Sequence, residues 1–312
     1  MHGVAETRKA AHAASGPPPL AFAAVVVANV ALAFGPWFVR VADTGPVAAG
    51  FWRMALALPF IAALAWAGGA RPQPLGRVLW GLIAVGGVAF AADLASWHLG
   101  ILRTTLANAT LFGNSATFIF PLYGFVAARA WPTRGQGVAL LLAAAGAALL
   151  MGRSLQLDPQ RLSGDLLCLL AGALYALYFI AMARVRSVMA PLSSLALSTA
   201  ASLLPLLLFA FALGERVWPG TWTPLLALAL VSQVLGQGCM IYALGKLSPL
   251  VVGLALLIQP VIAATLGWVV YGERLGAPDL LGAALIAAAL VLVRRGAVAE
   301  AAPRAHLGRD DG

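Results

Sequence analysis

Apolar runs of bilayer length recur along the whole chain. The first, Leu20 to Val39, passes 20 residues without a charged side chain. At 1.5 Å per residue, about 20 helical residues cross the ~30 Å hydrocarbon core of a membrane. Cutting the 312 residues at charges, Pro/Gly clusters and turn signals leaves ten such segments: roughly 20–40, 46–68, 77–101, 105–128, 135–151, 164–184, 191–213, 222–245, 249–271 and 278–294. Backbone groups find no partner in lipid, so each segment must be helical. Short connections make consecutive helices antiparallel.

Composition excludes a soluble fold. The chain is 62% hydrophobic and 10% charged, against roughly 45–50% and 25% in soluble domains. The net charge of +9 does not point to nucleic acid, because the basic residues sit singly or in pairs between apolar runs. The first run is longer than the ~7–15 apolar residues of a secretory leader, so it is expected to be a span. Cys168 and Cys239 lie inside apolar runs with no metal-binding spacing, so they read as small buried residues. No metal or cofactor is expected.

Loop charges orient the bundle. With the N-terminus placed in the cytoplasm, 13 of the 20 basic residues fall on the cytoplasmic side, six fall opposite, and Arg53 lies inside a helix. That excess fits the positive-inside rule with both termini cytoplasmic, and an even number of spans keeps the alternation. Trp37, Trp66, Trp80, Trp131, Trp218, Trp222 and Trp268 fall near segment ends, where interfacial tryptophans anchor.

The fourth and ninth segments are similar. Arg103 to Phe120 compares with Lys246 to Ala263, and the spacing Thr105 to Thr117 matches Ser248 to Pro260. Each follows a basic hinge and opens a long apolar stretch, expected to be one helix. A five-helix unit repeated in tandem inserts with opposite orientation, as in many secondary transporters whose substrate site lies between the halves.

The segments Leu247-Ser248-Pro249, Leu257-Ile258-Gln259-Pro260-Val261, Gly267-Trp268, Tyr271-Gly272-Glu273-Arg274-Leu275 and Leu280-Leu281-Gly282 resemble the last two helices of the EamA family, in the drug/metabolite transporter superfamily. Phe51-Trp52-Arg53, Asp93 to His98 and Arg103 to Leu111 resemble its first half. The resemblance spans residues 20–295. It implies an all-α integral membrane protein, with ten transmembrane helices as two inverted five-helix repeats around a central cavity. The repeats are expected at 20–152 and 163–295, between cytoplasmic tails 1–19 and 296–312. It also implies export of small solutes, often amino acids, from a bacterial inner membrane. The pair Trp97-His98 is similar to an aromatic-His pair of the YddG-type aromatic amino acid exporters. Thr117, where the family often has proline, and Ala128-Arg129-Ala130, in place of a Gly-Glu-Arg turn, depart from the pattern.

Intramembrane polar side chains nominate the site. Arg53 and Asp93 sit at similar depth in adjacent helices and are expected to form an ion pair or to be linked through the cavity. Trp97 lies one turn beyond Asp93 on the same face, and His98 adjoins it. His98 reads either as a proton-coupling or carboxylate-contacting residue, or as a neutral side chain donating to a backbone carbonyl. Asn108 and Asn114 lie in the fourth segment and, six residues apart, point in different directions, while Asn114 and Phe118 share a face. Gln233 and Gln237 share a face of the eighth, and Tyr175, Tyr178 and Met182 form a stripe on the sixth. Cavity lining and plain helix packing both explain these amides and aromatics.

Enzymes are disfavoured: the chain has no HExxH, no GxSxG and no Walker A motif. A channel remains an alternative, as do other solutes of the superfamily such as purines, drugs or organic cations. The expected partners are an amino-acid-like solute and the lipid bilayer, with no nucleic acid, and the chain is expected to act as a monomer.

Overall fold

The computed structural model describes residues 19–71, 74–104, 106–152 and 159–271, and 277–292 with gaps. The two expected tails, apart from Pro19, lie outside the described residues, as does the Gly272-Glu273-Arg274 turn. Among the described residues every regular element is helical. Among the described residues seven helices are long and apolar enough to cross a membrane: Pro19–Val41, Pro46–Ala67, Arg77–Ile101, Leu162–Arg186, Pro191–Ala212, Thr223–Leu244 and Pro249–Val270. The chain is a multi-pass membrane protein.

In finer detail the elements are α1 (Pro19–Ala33), α2 (Gly35–Val41), α3 (Pro46–Ala67), α4 (Arg77–Ile101), α5 (Leu106–Gly113), α6 (Ala116–Ala128) and α7 (Arg134–Gly152). They continue as α8 (Pro159–Arg186), α9 (Pro191–Ala212), α10 (Thr223–Ala227), a π-helical stretch Leu228–Gln237, α11 (Gly238–Leu244), α12 (Pro249–Ala255) and α13 (Ile258–Tyr271). Proline opens α3, α9 and α12, where its missing N–H has no helical partner to lose.

The fourth and ninth segments are each broken, contrary to the single long helices expected. Between α5 and α6 the amide of Thr117 bonds Asn114 O (2.8 Å) and that of Phe118 bonds Ser115 O (3.0 Å). Between α12 and α13, Leu257 N bonds Leu254 O and Gln259 N bonds Leu256 O, each at 3.1 Å. These i→i+3 bonds tighten the chain by a fraction of a turn and rotate the second half of each segment about its axis. Apolar periodicity alone does not show such a break.

α4 packs along α8, α3 against α9, and α1 against the π-helical stretch and α11. Small residues set the close approaches. A Cβ on Gly253 would lie 2.6 Å from Pro121 Cγ, and one on Gly124 would lie 2.9 Å from Pro249 Cβ. α6 and α12 therefore cross by setting a proline of each helix over a glycine of the other.

At one end of the bundle two loops hold each other. The Glu215 carboxylate accepts from Val47 N (3.3 Å) and Ala48 N (2.8 Å), capping the start of α3. In return Asp43 Oδ2 accepts from Gly220 N (2.9 Å) and Thr221 N (3.0 Å).

Three helices end in the same turn. In each, the amide of a residue with positive φ bonds the carbonyl three residues back, and the next amide bonds the carbonyl five residues back. The left-handed residue is Gly69 (φ 87°) after α3 and Gly214 (φ 65°) after α9, but Arg129 (φ 51°) after α6.

Candidate functional site

Apolar packing between these helices leaves a small cavity of about 40 Å³ at the centre of the bundle. α3 contributes Arg53, and α4 contributes Phe90, Asp93, Leu94 and Trp97. Thr110, Gly113 and Asn114 come from α5 and the break that follows it. Tyr175 comes from α8, Gln237 from the π-helical stretch, Leu32 from α1 and Gln259 from α13. Both halves of the chain line it. The volume holds about three water molecules.

Two opposite charges reach this space from protein interior. Arg53 is 2% exposed and Asp93 7%. Arg53 donates from Nε to Gln233 Oε1 at 3.1 Å, and its guanidinium carbon lies 5.9 Å from the Phe90 ring centre. It makes no direct ion pair with Asp93 among the described residues; the cavity that both line connects them.

Amides and aromatics fix the walls. Gln233 Nε2 donates to Thr199 Oγ1 (3.1 Å), and Gln237 Oε1 accepts from the Tyr175 hydroxyl (3.1 Å). Gln259 Nε2 donates to Asn29 Oδ1 (2.8 Å), and Asn29 in turn donates to Val25 O (2.7 Å). Asn114 Nδ2 is buried with no hydrogen-bond partner among the described residues. Trp97 donates from Nε1 to Ala109 O at 3.1 Å. Its indole passes between two glycines: a Cβ on Gly113 would lie 2.8 Å from Nε1, and one on Gly35 3.6 Å from Cη2. Phe90 stacks on Tyr178 (4.4 Å, 14°) and on Tyr175 (6.1 Å, 21°).

Arg53, Asp93, Trp97, Asn114, Tyr175 and Gln237, all singled out from sequence, come together on the cavity. His98 does not reach its lining. Its Nδ1 sits 2.7 Å from Pro46 O, so Nδ1 carries the hydrogen. Tyr178 lies one layer back, behind Phe90. Phe118 is 39% exposed and lines a separate groove between α6 and α7. The break at Asn114 and Ser115 removes the shared face on which the Phe118 assignment rested. The side chain of Asn108 lies outside the described residues.

Thr110 and Gln259 were not singled out. Thr110 is one turn before Asn114, and Gln259 is a polar residue deep in an apolar segment. The expense of polar groups in lipid flags both.

Residues 162–295 match the EamA-like transporter family. A solved structure titled only as the crystal structure of a protein superposes with a TM-score of 0.70, covering 89% of this chain and 96% of its own, at 16% identity. That likeness shows the fold. A search of curated protein sequences returns no match.

Proposed function

We propose, from the EamA-like transporter domain at residues 162–295, that the chain is a secondary transporter exporting zwitterionic amino acids through the central cavity. The observation that carries this reading is the placement of Arg53 and Asp93 on one cavity without a direct bond between them. Buried charges need partners. A substrate carboxylate on Arg53 and a substrate ammonium on Asp93 supply both at once. Gln233 engages one of the five N–H donors of Arg53, and bidentate carboxylate recognition uses two more. The Asn114 amide adds a donor, and Trp97, Phe90 and Tyr175 make an aromatic wall that favours aromatic and apolar side chains.

Ten helices in two inverted five-helix repeats frame the site. The breaks at 114–115 and 256–257 support this, because the repeat alignment of Thr105 with Ser248 brings them to within one residue of each other. The packing supports it too: α4 on α8 mirrors α11 on α1, α5 and α6 on α8 mirror α13 on α1, and α3 meets α9 as α6 meets α12. Broken helices at a midplane cavity are the usual ligand-binding elements of such carriers. Room for about three waters is too little for an amino acid, so helices must part to admit one. Alternating access meets that need. The orientation with both termini in the cytoplasm of an inner membrane rests on the loop charges, and the bundle acts as a monomer.

The test is counterflow in proteoliposomes containing the purified chain and a panel of labelled amino acids, purines and organic cations, with and without a pH gradient. Saturable uptake of aromatic amino acids supports the reading. Uptake of purines or cations alone keeps the transporter and removes the amino acid.

A further inference from the structure

A second feature lies apart from the central cavity. Between α6 and α7 runs a groove of about 690 Å³ on the outside of the bundle. Leu122, Val126, Leu140 and Leu141 make it apolar, Trp131 stands at its mouth 94% exposed, and one cation, Arg129, belongs to its lining. Arg129 is exposed, and its guanidinium makes no hydrogen bond or ion pair among the described residues. Arg134, also exposed, opens the next helix.

The backbone at Arg129 supplies a separate observation. It holds the left-handed position of a helix-ending turn, and it is the only non-glycine residue with positive φ among the described residues. The two other turns of this kind use Gly69 and Gly214. An L-residue with a Cβ is strained there, which is why glycine is the usual choice. Strain of this sort is kept where a side chain has work to do. Capping gives no reason for arginine, since Ala130 N to Phe125 O and Arg129 N to Val126 O are backbone bonds that glycine makes equally well.

We infer that this groove is a binding site for an anionic glycerophospholipid, whose phosphate pairs with Arg129 and whose acyl chain lies along Leu122, Val126, Leu140 and Leu141. Arginine matches a phosphodiester in charge and geometry. A basic residue between spans beside an apolar cleft is the arrangement that selects anionic headgroups. Trp131 occupies the interfacial level at which the headgroup must sit.

The test is native mass spectrometry of the full chain with phosphatidylglycerol and phosphatidylcholine of identical acyl chains, and with glycerol phosphate as a headgroup-only probe. Arg129→Gly removes the cation while relieving the turn, so its fold is retained. Its preference for phosphatidylglycerol over phosphatidylcholine should fall about five-fold from wild type, with the melting temperature in phosphatidylcholine unchanged or raised. Arg129→Lys should keep most of the preference. An Arg129→Gly protein with the wild-type preference overturns the proposal. So does glycerol phosphate binding as tightly as the lipid, because the groove then contributes nothing.

Discussion

Arg53 on α3 donates from Nε to Gln233 Oε1 at 3.1 Å, which ties the second apolar segment of the chain to the eighth beside the central cavity. Gln233 passes the link on to Thr199 on α9. A buried guanidinium is thus positioned by a neutral amide and keeps its charge for the cavity. A Gln233→Glu substitution satisfies that charge internally. The expected result is a protein that melts no lower than wild type but transports at least about ten-fold more slowly, because the substrate carboxylate competes with Glu. A Gln233→Leu substitution instead strips a buried bond to a charged group and lowers stability by about 1–3 kcal/mol. Thermal melts beside counterflow rates separate the two.

Trp97 depends on Gly113. A Cβ at position 113 would stand 2.8 Å from the indole Nε1, and that nitrogen is already committed to Ala109 O. Gly113→Ala should push the ring into the cavity, lower stability by about 1–3 kcal/mol and raise KM for bulky substrates more than for small ones. Equal changes in KM across alanine, leucine and tryptophan contradict this placement of the ring.

His98 holds two helices together through Pro46 O. His98→Leu should destabilise by about 1–3 kcal/mol through the lost bond, while the transport that remains keeps the wild-type KM and response to a pH gradient. Abolition of the gradient response in a folded protein would return His98 to the coupling role considered from sequence.

Glu215 caps α3 from the far half of the chain. Glu215→Ala should cost about 0.5–2 kcal/mol, and Asp43→Ala, which frees Gly220 N and Thr221 N, should act in the same direction. The two carboxylates hold the same pair of loops from opposite sides. The double variant should therefore melt higher than the sum of the two losses predicts, and a double-mutant cycle measures the difference.

Much of this was legible in the sequence, because lipid leaves few choices. Apolar length located the seven described helices that are long enough to span, and Trp residues near their ends are exposed: Trp66 59%, Trp80 52%, Trp268 54%. Intramembrane charge located Arg53 and Asp93. Adjacency in helical register did less well. Phe118 comes four residues after Asn114, yet the i→i+3 bonds at 114–118 turn it toward the outer groove. Close beside these breaks α6 and α12 cross, with Pro121 over Gly253 and Pro249 over Gly124. The partner helix is more than 120 residues away along the chain, so no local pattern announces it. The same holds for Gln259, which reaches the cavity only because α13 restarts after its own break, and for the pairing of Asp43 with Glu215 through their loops.

One cavity that offers Arg53 to a carboxylate and Asp93 to an ammonium must tell a zwitterion from either half of it. Counterflow of labelled phenylalanine in proteoliposomes, challenged with phenylalanine, 3-phenylpropionate or phenethylamine, tests this most directly. Each of the last two lacks one charge and leaves Asp93 or Arg53 buried without its partner. Phenylalanine should inhibit at concentrations at least about 100-fold below those needed for either analogue, with the difference lost in Asp93→Asn for phenylpropionate. Inhibition by phenethylamine or phenylpropionate as strong as by phenylalanine itself would contradict the pairing of Arg53 and Asp93 with the two ends of one substrate.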